Sequence, residues 1–325
     1  MPAFDLPLDQ LRTYRGASPR PADFDAYWEA GLRELDHTDP DPVLVPNSTI
    51  TTPQTECFDL WFTGVGGARI HAQFVRPRRS DVTTANPGPA VLLFHGYSAA
   101  CGDWSSLLGF AGAGLAIAML DCRGQGGASE DVGGVKGMTL RGHFVRGLAD
   151  PDPTKLLFRA IYLDTVQLAR VVMAQPEIDA ARVGAFGGSQ GGALTLACAA
   201  LEPRLKRIAP AFPFLSDFRR VWAMDLAENA YEELRYFLRI NDPCHERVEE
   251  IFTRLGYIDV QHLAPRIQAE VLFFTGLMDN VCPPSSQFAV FNRITAPKEM
   301  VMYPDFAHEA LPGAADRTFN FLLGL

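Results

Sequence analysis

The chain has 325 residues, of which 47% are hydrophobic, enough to bury a large core. Against 29 Lys and Arg stand 38 Asp and Glu, a net charge of −9, with no basic cluster of the kind a nucleic acid requires. The longest apolar run, 110–120, is too short to span a bilayer, and the six cysteines form no Cys-x-x-Cys pair, so neither a membrane span nor a metal site is expected.

Residues 1–50 read as an irregular, Pro-rich N-terminal arm with one helix over 21–35. Its start, Met1 to Pro7, has no basic segment and no apolar core, so no secretory leader is expected. Cys57, Cys101, Cys122, Cys198, Cys244 and Cys282 read as free thiols of a reducing cytoplasm. The alternating runs 57–62 and 70–75 flank Gly64, Gly66 and Gly67 and predict an antiparallel hairpin.

Six mostly apolar runs follow, at 91–94, 115–120, 183–186, 206–210, 271–275 and 300–303, suited to buried parallel strands. An amphipathic helix is expected over 156–173. Two hairpin strands and six further strands with intervening helices make the α/β-hydrolase layout: one domain over 1–325, with an eight-stranded, mostly parallel sheet and helices on both faces. Two insertions stand out. Residues 124–152 carry eight glycines and exceed an ordinary loop. Residues 214–266 are polar and helical and precede the strand at 271–275, the usual place for a cap. Within them Asp242-Pro243-Cys244-His245-Glu246-Arg247 reads as a helix start with charged solvent contacts.

The chemistry lies in Gly187-Gly188-Ser189-Gln190-Gly191, between an apolar run and a small-residue helix. A strand–turn–helix junction lifts a serine hydroxyl over the sheet and points free N–H groups at it. Glycines at 187 and 191 remove the Cβ atoms that would collide where strand and helix cross. In this motif the acid and base follow in the order Ser, Asp or Glu, His. Asp279 follows one strand and His308 the next, both at the carboxyl edge where open parallel sheets build sites. His308 is the general base and Asp279 its orienting acid. Asp305, three residues before His308, is the rival acid, less able to approach the imidazole from behind. After the strand at 91–94 comes His95-Gly96-Tyr97-Ser98, so the oxyanion donors are the backbone N–H groups of Tyr97 and Gln190.

The chain resembles the acetyl xylan esterases and cephalosporin C deacetylases of carbohydrate esterase family 7. Arg123-Gly124-Gln125-Gly126-Gly127, Gly187-Gly188-Ser189-Gln190-Gly191-Gly192 and His308-Glu309 carry the likeness. Asp23-Phe24-Asp25-Ala26-Tyr27-Trp28, Gly102-Asp103-Trp104 and Gly276-Leu277-Met278-Asp279-Asn280-Val281-Cys282-Pro283-Pro284 extend it. Ala128 before Ser129 is a small departure at the end of the first signature.

The resemblance implies hydrolysis of O-acetyl esters through an acetyl-enzyme on Ser189, with Asp279 and His308 completing the triad. It implies small acetylated sugars and cephalosporin C as substrates, no metal or organic cofactor, a cytoplasmic location and a homohexamer in which 124–152 forms an interface. Arg123 is expected to pair with an acid and fix its loop. Trp104 and Phe214 are either acyl-pocket or core residues. The competing readings are a serine peptidase of the same fold and a non-catalytic hydrolase-fold protein.

Overall fold

A computed structural model describes residues 4–78, 86–132 and 143–325. Among them nine strands form one sheet in the order β1-β2-β3-β5-β4-β6-β7-β8-β9. These are β1 (Val43–Pro46), β2 (Thr55–Thr63), β3 (Arg69–Pro77), β4 (Gly88–Phe94), β5 (Ala116–Leu120), β6 (Ile178–Gly188), β7 (Arg207–Ala211), β8 (Glu270–Gly276) and β9 (Lys298–Tyr303). From β1 to β5 the pairs are antiparallel, and from β5 to β9 they are parallel.

The eight expected strands are present, and β1 adds a ninth inside the N-terminal arm. Its four residues pair with β2 from Val43 opposite Trp61 to Pro46 opposite Phe58. The strand is short, exposed and closed by a proline, which is tolerated at a sheet edge.

Successive residues of a strand face opposite sides, so the apolar runs feed two cores. Leu92, Ala118, Val183 and Phe273 join the larger cluster, beneath α4 (Leu157–Met173) and α5 (Gln190–Leu201). Val91, Ile117 and Met119 turn the other way, toward Trp104, Phe110 and Leu322. The last two lie in α3 (Leu108–Gly112) and α11 (Ala314–Leu322).

The expected amphipathic helix is α4, but nearly every residue of it is buried. The arm accounts for the difference. α1 (Leu8–Leu11) leads into α2 (Phe24–Asp36), whose Trp28 stacks on Tyr162 of α4 at 5.7 Å. A helix covered on both sides has little face left for solvent.

Between β7 and β8 run α6 (Phe218–Ala223), α7 (Glu232–Asn241), α8 (Val248–Leu255) and α9 (Val260–Leu263). Phe218, Tyr231, Phe237 and Phe252 from this segment belong to the main core. In the 242–247 stretch the Asp242 carboxylate accepts the N–H groups of Glu246 and Arg247, a helix start as expected. α10 (Pro284–Phe291) follows β8. Residues 133–142, the middle of the glycine-rich segment, lie outside the described residues.

Parallel register decides where the loops meet. Phe94 lies opposite Gly187, Gly188 opposite Ala211 and Gly276 opposite Tyr303. The carboxyl ends of β4, β6, β7, β8 and β9 therefore fall at one edge. That edge receives residues 95–98, 189, 212–214, 277–282 and 304–308.

Candidate active site

Ser189 joins β6 to α5 with φ 56° and ψ −119°, a conformation that side chains rarely adopt. Neighbouring backbone holds it there. Its N–H donates to Ala211 O at 3.0 Å, and its carbonyl accepts from Phe214 N at 3.0 Å and Ala193 N at 3.1 Å. Close crossing of strand and helix makes this possible. A Cβ on Gly191 would lie 2.0 Å from Phe94 O, and one on Gly187 would lie 2.6 Å from the Gly191 carbonyl carbon.

Ser189, His308 and Asp279 form one hydrogen-bonded line. His308 Nε2 is 3.0 Å from Ser189 Oγ, and its Nδ1 is 2.8 Å from Asp279 Oδ2. A carboxylate at Nδ1 places the ring proton there and leaves Nε2 as the acceptor for the serine hydroxyl. The ring also packs on Phe212, with centroids 4.6 Å apart. Asp305, the rival acid, is exposed. The loops after β8 and β9 are tied together: Leu277 N donates to Tyr303 O at 3.0 Å and Met278 N to Phe306 O at 3.0 Å.

Asp279 is fully buried and its oxygens are saturated. Oδ1 accepts the N–H groups of Val281 at 2.9 Å and Cys282 at 2.8 Å. Oδ2 accepts from His308 and from Gln287 Nε2, the latter at 3.2 Å. Burial, the largest cause, pushes the pKa of the Cys282 thiol well up, which keeps it a neutral thiol.

The two elements proposed for the oxyanion site sit side by side. Gln190 opens α5, where the first N–H groups have no partner within the helix. Its buried side chain pairs with Gln125: Gln125 Nε2 donates to Gln190 Oε1 at 2.8 Å, and Gln190 Nε2 donates to Gln125 Oε1 at 3.1 Å. Gln125 Oε1 also accepts Ser98 N–H at 3.1 Å. One amide pair thus joins the start of α5 to the loop carrying Tyr97.

Tyr97 is anchored by its ring. Its hydroxyl donates to Glu233 Oε1 at 2.8 Å and accepts the Phe144 N–H at 3.1 Å. Burial and the Glu233 charge raise the phenol pKa well above its usual value. Phe214 lies 4.7 Å from the Tyr97 ring and is fully buried, whereas Trp104 belongs to the opposite core. In the same loop, His95 Nδ1 lies 2.7 Å from Gly96 O while Nε2 accepts the Cys122 N–H at 3.1 Å. That arrangement requires the neutral ring, and burial lowers its pKa accordingly.

Arg123 points away from the triad. Its guanidinium grips Asp164 of α4 through two bonds of 2.6 Å and also donates to Val65 O. Both side chains are buried, and the pair ties the loop after β5 to the turn between β2 and β3. Elsewhere, His71, Cys101 and Asp121 converge within 4.8 Å. Each has protein partners: His71 bonds Asp121 at 2.6 Å and Asp59 at 3.0 Å, and the Cys101 thiol donates to Met119 O. Burial opposes charge on His71, but the two carboxylates outweigh it and raise its pKa.

Cys282, Gln287 and Glu233 were not singled out from the sequence as site residues. Gln287 lies eight positions past Asp279, and neither its type nor its spacing marks it.

The sequence profile of the family described as Acetyl xylan esterase (AXE1) matches residues 1–325. Acetyl xylan esterase 1 from Thermoanaerobacterium sp. JW/SL YS485 is 50% identical and superposes with a TM-score of 0.95, covering 99% of both chains. An acetyl xylan esterase from Paenibacillus sp. R4 is 32% identical, with a TM-score of 0.92 over 98% of this chain and 99% of that one. The acetyl esterase Axe7A of Xylanibacter ruminicola is 28% identical over 303 residues, which cover 89% of this chain. This chain spans only 63% of that relative's length. From the nucleophile elbow to the last loop, the fold and the sequence agree on one assignment: the chain belongs to the acetyl xylan esterase (AXE1) family.

Proposed function

We propose that the protein is a serine esterase that removes acetyl groups from small esters. The observation that carries this reading is the unbroken line Ser189–His308–Asp279 in a member of the acetyl xylan esterase family.

Ser189 Oγ attacks the ester carbonyl as His308 Nε2 takes its proton. The carbonyl oxygen becomes an oxyanion and accepts the backbone N–H groups of Gln190 and Tyr97, each such donor being worth about 10²–10³ in rate. The tetrahedral intermediate collapses, the C–O bond to the alcohol breaks, and His308 returns its proton to the departing oxygen. Water then attacks the acetyl-Ser189 carbonyl as His308 takes its proton; the C–O bond to Ser189 Oγ breaks, His308 returns the proton to Oγ, and acetate leaves. Asp279 holds the imidazole tautomer and stabilises its positive charge. No metal or organic cofactor enters these steps.

Acetylated xylo-oligosaccharides and the acetyl side chain of cephalosporin C are the proposed substrates. The similarity to acetyl xylan esterases supports the first, and the sequence resemblance supports both. The same resemblance supports a homohexamer with residues 124–152 at an interface and a cytoplasmic location. No helix among the described residues is long and apolar enough to cross a membrane.

Acetate release from acetylated xylo-oligosaccharides and from cephalosporin C, by wild type and by Ser189→Ala, tests the proposal. Release from both, lost in the variant, supports it. Full activity in Ser189→Ala would sink the mechanism. Cleavage of nitrophenyl acetate alone would keep the triad and reject both substrates.

A further inference from the structure

We infer that Gln287 is a positioning residue of the triad, acting through Asp279; the inference rests on the serine-hydrolase reading of the site. Gln287 lies in the first turn of α10 and is fully buried. Its Nε2 donates to Cys282 O at 2.6 Å and to Asp279 Oδ2 at 3.2 Å. Asp279 Oδ2 is the same oxygen that meets His308 Nδ1.

The orientation of the amide follows from its surroundings. Turned over, its oxygen would face a carbonyl and a carboxylate, two acceptors with no hydrogen to offer. Facing them with the NH₂ group leaves Oε1 without a partner among the described residues. Buried acceptors are rarely orphaned without a reason. A residue that only filled this face of α10 would be apolar, as the next three positions are: Phe288, Ala289 and Val290. Both Gln287 donors instead go to the loop that carries the triad acid.

Two consequences follow for His308. The Asp279 carboxylate is held against the imidazole by donors on both oxygens. The Gln287 N–H also draws charge on Oδ2 away from the imidazolium. Without Gln287, Asp279 would stabilise the imidazolium more strongly but hold the ring less well. The pH midpoint of the reaction at Ser189 should rise, and the maximal rate should fall.

The test follows reaction of Ser189 with a fluorophosphonate probe as a function of pH, alongside kcat and KM for nitrophenyl acetate. Wild type, Gln287→Met and Ser286→Ala are compared. Ser286 sits in the same buried turn, and its hydroxyl bonds Pro283 O rather than Asp279. Gln287→Met should raise the midpoint of the probe reaction by ~0.5 pH unit or more and lower its plateau about tenfold, within the range by which one hydrogen bond to a charged group shifts a pKa and supports a base. KM should stay within about twofold, because Gln287 does not touch substrate. Ser286→Ala should leave the midpoint in place. An unmoved midpoint in Gln287→Met, or an equal movement in both variants, overturns the inference. Gln287→Val, smaller on the same stem, gives the same readout should methionine fail to pack. The probe reads Ser189 without an acetyl substrate, so wild type that reacts with it but releases no acetate rejects the acetyl-ester reading alone.

Discussion

Gln125 and Gln190 exchange both of their side-chain amides, with hydrogen bonds of 2.8 and 3.1 Å between residues 65 positions apart. Gln190 begins the helix behind Ser189, and Gln125 also holds Ser98, one residue beyond Tyr97. The pair therefore ties together the two segments that carry the proposed oxyanion donors. Gln125→Met keeps the side-chain length but loses all three bonds, two with Gln190 and one with Ser98. Its kcat on nitrophenyl acetate is expected to fall about tenfold, short of the 10²-fold or more that loss of a direct donor costs. KM should change little. A loss confined to KM would show that Gln125 contacts substrate instead.

Asp279→Asn is expected to reduce kcat by about 10⁴, because an amide can present its NH₂ to His308 and impose the wrong tautomer. The variant should also lose some stability, because the NH₂ that replaces Oδ2 faces the Gln287 Nε2 donor in a buried site. Asp305→Asn, a change at an exposed position, should keep most activity. Steady-state rates of the two variants, with urea unfolding as the fold control, check both statements.

The Arg123–Asp164 pair is buried and bidentate. Removing one partner strands the other charge, at an expected cost of about 3–5 kcal/mol. Asp164→Leu should therefore lower the urea midpoint strongly. The double variant Arg123→Met with Asp164→Leu should recover much of that loss. Additive losses in the cycle would mean that the pair is not coupled.

Burial, followed by the nearby Asp217 charge, pushes the Asp259 carboxyl up to about 7. The hydrogen bonds it accepts from Gln261 and from Asp217 N–H work the other way but do not cancel the rise. The folded-state value lies above the unfolded one of 3.8. The folded protein therefore holds this proton more tightly, and Asp259 favours the fold increasingly as pH falls from 7 toward 4. Its share of the slope is up to about 1.4 kcal/mol per pH unit. Urea unfolding at several pH values should show a flatter profile for Asp259→Asn over that window. Parallel profiles would contradict the assignment.

Thiol labelling offers a direct check of the packing. Cys244 is exposed, Cys101 is half-buried with its pKa raised by burial, and the other four cysteines are buried. Iodoacetamide at neutral pH should modify Cys244 first in the native protein, and Cys244→Ser should remove that fast phase. Fast alkylation of Cys282 would show that the floor beneath Ser189 is open.

Much of this protein is written locally. The strand–turn–helix around Ser189 and the period-two runs of the hairpin depend on residues a few positions apart. So do the acids and bases that follow strand ends. Chain order then leaves His308 as the base downstream of Asp279, and loop position favours Asp279 over Asp305 as its acid. Other features come from residues with no local signature. The exposed Val43–Pro46 strand exists because β2 offers it an unpaired edge. The near-complete burial of α4 exists because Trp28 and its neighbours lie over it. Tyr97 finds Glu233 across 136 residues, and Arg123 finds Asp164 across 41. The sequence by itself determined the elements, the elbow and the order of the chemical groups, because backbone preference and side-chain periodicity act over a few residues. Only the tertiary structure decided that Gln125 and Gln287 stand behind the site. A buried polar side chain is specified by the partner that packing brings within 3 Å or so, and that partner lies far along the chain.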